Sequence, residues 1–317
     1  MNIDHIVIVL TEQKSIFLEI LFKYFQSKHY KSNKKKITLV GSLSHVLKEA
    51  KKYKFKYNFN EVSDISESKK YKINVKNLEP IKKKLSKLSK NQISNNFNET
   101  ISFLKKNKNV ALMNGPINKK SFLKKKYLGV TEYLAKKTNS KNPVMLIYNN
   151  KISVSPITTH LPIKHVANNL NKSKIIKNIK LINNFYKKNF NFKPKIAVLG
   201  LNPHCETIER VSEEQRIITP AIYTLKKQRL SVDGPFSADT FFIYKNIEKY
   251  DVVVGMYHDQ VLTPLKTLFN FDAINITIGL PFIRVSPDHG PNYSMVGKNK
   301  SDPSSIFCAM EFFNKIR

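Results

Sequence analysis

Tryptophan is absent from this sequence of 317 residues, glycine is held to 9 and cysteine to 2. The two cysteines, Cys205 and Cys308, lie far apart with no CxxC pattern, which excludes a disulfide framework and makes a reducing, cytoplasmic setting the expectation. Acidic side chains are also scarce, 23 against 55 basic ones. Long apolar runs are missing. The N-terminal stretch MNIDHIVIVLTEQK carries an apolar run of about six residues, too short for a membrane span. It also lacks the basic flank and cleavage site of a signal peptide, so no membrane partner is expected. No G-x-G-x-x-G follows that first run, and a standard dinucleotide fold is therefore not indicated.

What is present suits a folded chain. The hydrophobic fraction is 41%, with 20 Phe and 14 Tyr, which argues against disorder. The length allows one large domain or two lobes of roughly 150 residues each. The formal net charge of +32 admits two readings. One is nucleic acid or an anionic membrane. The other is a compositional bias towards Lys, Asn and Ile along the whole chain, with Lys far exceeding Arg. The second reading is adopted, so no nucleic acid is expected as a partner, and a basic nucleic-acid-binding protein remains the non-enzymatic alternative. A general positive field still helps to gather an anionic substrate.

Strand-like and helix-like segments alternate. HIVIVL (5–10) precedes a helical pattern through SIFLEILFKYF, and ITLVG (37–41) leads into LSHVLKEAKKY. Residues 51–95 are rich in Lys, Asn and Ser and read as a less regular, solvated section. Beyond them, ETISFLKKN and SKIIKNIKLINNFYKKNF read as helices. NVALMNG, PVMLIYN and ISVSPIT read as strands, and KIAVLGL, DVVVGMY and AINITIGL as strands buried on both faces. The alternation predicts an α/β fold with a mostly parallel sheet and crossover helices. The chain reads as a single two-lobed catalytic unit spanning 1–317, and no lobe boundary is visible.

Three histidines stand where an apolar run gives way to a loop: His160 in TTHLP, His204 in GLNPH and His258 in MYHDQ. Ligands of open α/β sheets bind at the carboxyl ends of strands, and three imidazoles converging there would hold a metal with open coordination positions. The steps of 44 residues from His160 to His204 and 54 on to His258 form no local motif. A lone histidine at a strand end is more often an ordinary hydrogen-bonded side chain than a ligand. Asp259, beside His258, could orient an imidazole.

A second group suits an anion. Lys266 lies eight residues beyond His258, and Asn275 and Arg284 lie in NITIGLPFIR, where Arg supplies a planar fork and Lys a point charge for phosphate. Asp239, in the turn-rich GPFSADT (234–240), is read as a helix N-cap, as a catalytic or substrate-contacting group, or as both.

Taken together, NGPINK (114–119), GVTEYLA (129–135), TTHLP, GLNPH, GPFSADT, MYHDQ, NITIGLPFIR and DHG (288–290) resemble the 4-hydroxythreonine-4-phosphate dehydrogenase family of vitamin B6 biosynthesis. The resemblance runs from about residue 109 to residue 302. It implies a two-lobed α/β/α subunit with the active site in the cleft between lobes, and a homodimer with that site at its interface. It implies one divalent metal ion, zinc, magnesium or cobalt, on His160, His204 and His258. It places Thr131, Lys266, Asn275 and Arg284 on substrate-contacting positions. The implied reaction is NAD-dependent oxidation of 4-phosphooxy-L-threonine followed by loss of carbon dioxide, leaving 3-amino-2-oxopropyl phosphate. No NAD-contacting residue is assigned.

The sequence departs from the family in places. A loop that reads like GDPAGIGPE in the family is TEQKSIFLE (11–19) here, GHTE is GVTE with Val130 in place of a substrate-contacting histidine, and DHGT is DHGP. These departures leave room for a paralogue that acts on another phosphorylated hydroxy acid, such as a four-carbon sugar acid phosphate.

Overall fold

The computed structural model describes residues 2–79, 88–118, 122–123, 127, 129–208, 211–270 and 272–316. Residues 80–87 of the Lys-rich section, Lys119 of NGPINK, and Glu209 and Arg210 after NPH lie outside the described residues. The chain divides into two compact units, Met1–Ser140 with Leu280–Ile316, and Lys141–Gly279.

The first unit carries β1 (His5–Val9), β2 (Lys36–Gly41), β3 (Phe59–Val62), β4 (Ile73–Asn77), β5 (Val110–Asn114) and β12 (Arg284–Pro287). Their order is β3-β4-β2-β1-β5-β12, and neighbours in that order pair in parallel. β1 is buried along its whole length, as expected of a strand covered by helices on both faces. The helix Phe17–Gln26 supplies part of that cover, burying Phe17, Leu18, Ile20, Leu21, Phe22, Tyr24 and Phe25. Each fully buried side chain of this size contributes roughly 1.5–3 kcal/mol. The chain leaves β1 towards β2 and β4 on one side and later returns to β5 on the other, so the strand order reverses between β1 and β5. The loop after β1 is pinned there, because the Thr11 hydroxyl and the Glu12 amide both donate to the Pro116 carbonyl, at 2.7 and 3.3 Å.

The second unit carries β6 (Val144–Tyr148), β7 (Ser153–Thr158), β8 (Ile196–Leu199), β9 (Val232–Phe236), β10 (Val252–Tyr257) and β11 (Ile274–Ile278), in the order β11-β6-β7-β10-β8-β9. The run β7-β10-β8-β9 is parallel, whereas β11 with β6 and β6 with β7 are antiparallel. The fold is therefore the expected mixed α/β architecture with mostly parallel pairing. Its core includes Val154, Ala197, Leu199, Val253, Val261 and Leu265.

The expectation of an irregular section over 51–95 is corrected, because β3 and β4 form within it and the helix Leu88–Lys106 begins there. The two strands are short, and β3 is largely half-buried or exposed, so the alternation that betrays a longer strand is missing. The strand β9 likewise runs into the turn-rich GPFSADT, and β12 forms in a stretch that carries no strand reading. Among the described residues no helix is long and apolar enough to cross a membrane.

Candidate metal and substrate site

The second unit gathers all three histidines beyond adjacent parallel strands. β7 pairs with β10 through Tyr257 and Thr158, and β10 pairs with β8. His160 follows β7 by two residues and His258 follows β10 directly, while the NPH turn begins after β8. The rings of His160 and His258 stand 5.8 Å apart, centroid to centroid, and are tilted by 36°. Two imidazoles that share one ion through nitrogens at about 2.1 Å have centroids on the order of 5 Å apart, so the spacing of this pair is close to that of two ligands of one ion. His258 opens the helix His258–Phe269, and its Nδ1 lies 2.6 Å from Asp259 Oδ1. A neutral imidazole that donates Nδ1–H to a carboxylate keeps its Nε2 lone pair for a metal.

His204 is held differently. It sits in the turn Pro203–Cys205 with φ of 55°, and Cys205 follows with φ of 61°. Its ring is exposed, with Nδ1 3.7 Å from Asp239 Oδ2. Among the described residues no group of three or more His, Cys, Asp and Glu side chains is close enough to hold a metal ion. The structure thus pairs His160 with His258 and sets His204 beside Asp239. The N-cap reading of Asp239 is corrected: Ser237 occupies the cap of the short helix Ala238–Phe241, and Asp239 lies in its first turn. Cap preference alone could not separate the two, since Ser and Asp both favour that position.

Side chains lace these strand ends together. The Thr158 hydroxyl donates to the Met256 carbonyl at 2.7 Å. Gln260 accepts from the Met256 amide through Oε1 at 2.7 Å and donates through Nε2 to the Gly200 carbonyl at 2.7 Å. Glu214 Oε1 accepts from the amides of Leu201 and Asn202 at 2.7 and 2.9 Å, and its Oε2 accepts from Asn202 Nδ2 at 3.0 Å. Burial pushes the Glu214 carboxyl up, but the donors from Asn202 and Leu201 outweigh it and hold the group below the usual range.

The remaining sequence-predicted residues divide between the units. Lys266 is exposed on the helix His258–Phe269. Asn275 is half-buried on β11, and its Oδ1 is a buried acceptor with no hydrogen-bond partner among the described residues. In the first unit, Arg284 opens β12 opposite Leu112 of β5 and is only 2% exposed. Its Nε donates to Asn114 Oδ1 at 2.8 Å, while Asn114 Nδ2 donates to the Gly115 carbonyl at 2.8 Å. Burial lowers the Arg284 pKa to about 9, and the charge of Glu132 acts in the opposite sense. Thr131 is buried in the first turn of the helix Val130–Lys137, capped by Gly129.

Asn114, Glu132, Thr158 and Gln260 all fall inside the motifs that carry the resemblance, yet the sequence alone gives them no role. Their one signal is a polar residue at the end of an apolar run. Glu214 carries no signal, because its partners are backbone amides 12 and 13 residues away. For a dinucleotide, the glycine-free loop after β1 offers no backbone cradle of the expected kind. A shallow pocket, partly open to solvent, lies beside that loop between Thr11, Ser15, His45 and Asn96, and no residue there is assigned to NAD.

Comparison with known proteins places this geometry in context. A 4-hydroxythreonine-4-phosphate dehydrogenase of Sulfurihydrogenibium sp. is 45% identical over 205 residues, and a D-threonate 4-phosphate dehydrogenase of Pectobacterium atrosepticum is 36% identical over 204. Each match spans 63% of this chain and 63% of the relative's own length. The crystal structure of a Klebsiella pneumoniae 4-hydroxythreonine-4-phosphate dehydrogenase superposes with a TM-score of 0.81 at 27% identity, covering 98% of both chains. The model of the pyridoxal phosphate biosynthetic protein PdxA matches residues 33–313, and the chain belongs to that family.

Proposed function

We propose that this chain is an NAD-dependent dehydrogenase that oxidises the secondary alcohol of 4-phosphooxy-L-threonine, with loss of carbon dioxide to give 3-amino-2-oxopropyl phosphate, in pyridoxal phosphate biosynthesis. The observation that carries the reading is the His160–His258 pair with Asp259 on His258 Nδ1, at the ends of neighbouring parallel strands. His160, His204 and His258 are the proposed ligands of one divalent metal ion, zinc, magnesium or cobalt. When bound, such an ion supplies Lewis-acid polarisation of the reacting oxygen.

The chain's own residues supply the rest. Asp259 fixes the His258 tautomer. Asp239, whose Oδ2 lies 3.7 Å from His204 Nδ1, is the proposed catalytic carboxylate, a group able to take up or return a proton directly. Arg284, still a cation at neutral pH because its pKa is lowered only to about 9, is proposed to bind substrate anion, as are Lys266, Asn275 and Thr131. Remote binding of a phosphate orients the alcohol, and orientation is a large part of such catalysis. NAD is the hydride acceptor of the proposal, with no step assigned to a residue that contacts it. A homodimer in the cytoplasm belongs to the same reading.

A second reading, oxidation of D-threonate 4-phosphate, is favoured by the Pectobacterium relative and by Val130. The two substrates differ in the group at C2, amine against hydroxyl. Purified protein with NAD, a divalent metal and each substrate in turn should yield NADH at 340 nm (a general property of the cofactor) with the threonine substrate preferred. Absence of NADH with either substrate and every metal, from a folded protein, sinks both readings.

A further inference from the structure

The motif that the proposed function leaves without a role is the glutamine of MYHDQ. Gln260 is buried and makes two hydrogen bonds of 2.7 Å, one to each of two neighbouring strand ends. Its Oε1 takes the Met256 amide, two residues before His258. Its Nε2 reaches the Gly200 carbonyl, four residues before His204. The Met256 carbonyl in turn takes the hydroxyl of Thr158, two residues before His160. The three strands that precede the three histidines are thus tied through one residue, Met256, by two side chains.

Two of the nine glycines of this glycine-poor chain stand where that lacing needs room. A Cβ on Gly255 would come within 2.8 Å of Gln260 Oε1 and 2.4 Å of Val261 Cγ1. A Cβ on Gly200 would come within 2.6 Å of Cys205 Sγ, in the turn that carries His204.

We infer that Gln260 and Thr158 are positioning residues that set the spacing of the three histidine loops and so the geometry of the metal site. The inference rests on the proposed metal reading and adds to it the residues that hold the ligands. A strand ladder alone does not reach past the last paired residue. Beyond Tyr257 and Thr158 the ladder ends, and past Leu199 the Gly200 amide continues it by one bond to the Phe236 carbonyl at 2.9 Å, so side-chain bonds help to fix where the loops go. Gln260→Glu keeps the acceptor for the Met256 amide but sets a carboxylate oxygen against the Gly200 carbonyl. Thr158→Val keeps the shape and removes the hydroxyl.

The test is a cobalt(II) titration of the intact protein, followed by visible absorption and by calorimetry, with melting temperature as the measure of fold. Outer-sphere partners of ligands typically change metal affinity by about 10–100-fold. Gln260→Glu is expected to weaken cobalt binding about tenfold or more and to shift the ligand-field bands, with Thr158→Val changing the same bands. Because Gln260 reaches His204 through Gly200, Gln260→Glu should have a smaller further effect on cobalt affinity in a His204→Ala background. If His204→Ala weakens cobalt binding but Gln260→Glu and Thr158→Val keep the wild-type affinity and spectrum, the positioning role is overturned and the metal reading stands. If His204→Ala, His160→Ala and His258→Ala all bind as wild type does, the metal reading falls and takes the inference with it. Should Gln260→Glu fail to fold, Thr158→Val decides.

Discussion

Asp259 lies on the imidazole of His258, with Oδ1 2.6 Å from Nδ1, and the ring so oriented faces that of His160 across 5.8 Å. The carboxylate is exposed and the ring half-buried, so the contact does little for stability and much for which nitrogen stays free.

Asp259→Ala is therefore expected to leave the melting temperature within a few degrees and to weaken divalent metal binding about 10–100-fold. Asp259→Asn should be milder, since an amide oxygen still accepts from Nδ1–H. Calorimetric titration with zinc or cobalt separates these cases, and equal affinity in all three proteins would remove Asp259 from the site.

Arg284 and Asn114 pose a different question, because a guanidinium only 2% exposed costs several kcal/mol to bury unless its donors are met. Asn114→Ala strips the acceptor from Nε and is expected to destabilise the protein by about 1.5–3 kcal/mol in urea unfolding. Under the proposed function it should also raise the KM for the phosphorylated substrate more than it lowers kcat. A variant as stable as the parent would show that Nε finds water instead.

The stability of the protein should fall on mild acidification, and His5 is one cause. Its Nε2 lies 2.7 Å from the Thr38 hydroxyl, and burial together with nearby Lys36 lowers its pKa from 6.5 to about 4. The unfolded chain takes up a proton near 6.5, whereas the folded chain resists until about 4. The contribution is therefore complete above 6.5 and fades as pH falls from there to about 4, up to about 3 kcal/mol in all. His45 and His289 are lowered in the same direction by burial. His5→Gln cannot titrate, so its urea midpoint should drop less between pH 7 and pH 5 than that of the parent. An identical drop would rule His5 out.

How much of this is legible in the sequence depends on the range over which each residue acts. β1, β2, β5, β7, β8 and β10 stand out as apolar runs, because a strand buried on both faces has no polar alternation to hide it. β3 (FNEV) and β12 (RVSP) do not, since their apolar content is too low and their pairing is decided by distant strands. The antiparallel placement of β11 and β6 is equally invisible, because both are apolar runs like the parallel strands. At the site, the three histidines can be chosen from their position after strands. Their grouping cannot, and the structure pairs only His160 with His258. The lacing by Gln260 and Thr158 joins residues 60 and 98 positions apart, a distance at which no local pattern is informative.

Val130 bears most directly on the substrate. It is half-buried, follows the Gly129 cap as the first residue of its helix, and packs against the apolar cluster of Phe97, Leu134 and Phe282. The family resemblance puts a substrate-contacting histidine at this position, next to the buried Thr131. Val130→His replaces an apolar side chain with a polar ring and is expected to cost about 1 kcal/mol of stability as that packing is given up. If the chain acts on 4-phosphooxy-L-threonine with a weakened grip, the added donor should raise kcat/KM for it about 10–100-fold, one new hydrogen bond to a charged group being worth about 1.5–3 kcal/mol. The effect should appear mainly in KM and leave D-threonate 4-phosphate unimproved. A gain confined to D-threonate 4-phosphate would reverse the substrate assignment, and no gain on either would show that Val130 packs the first unit without facing a substrate.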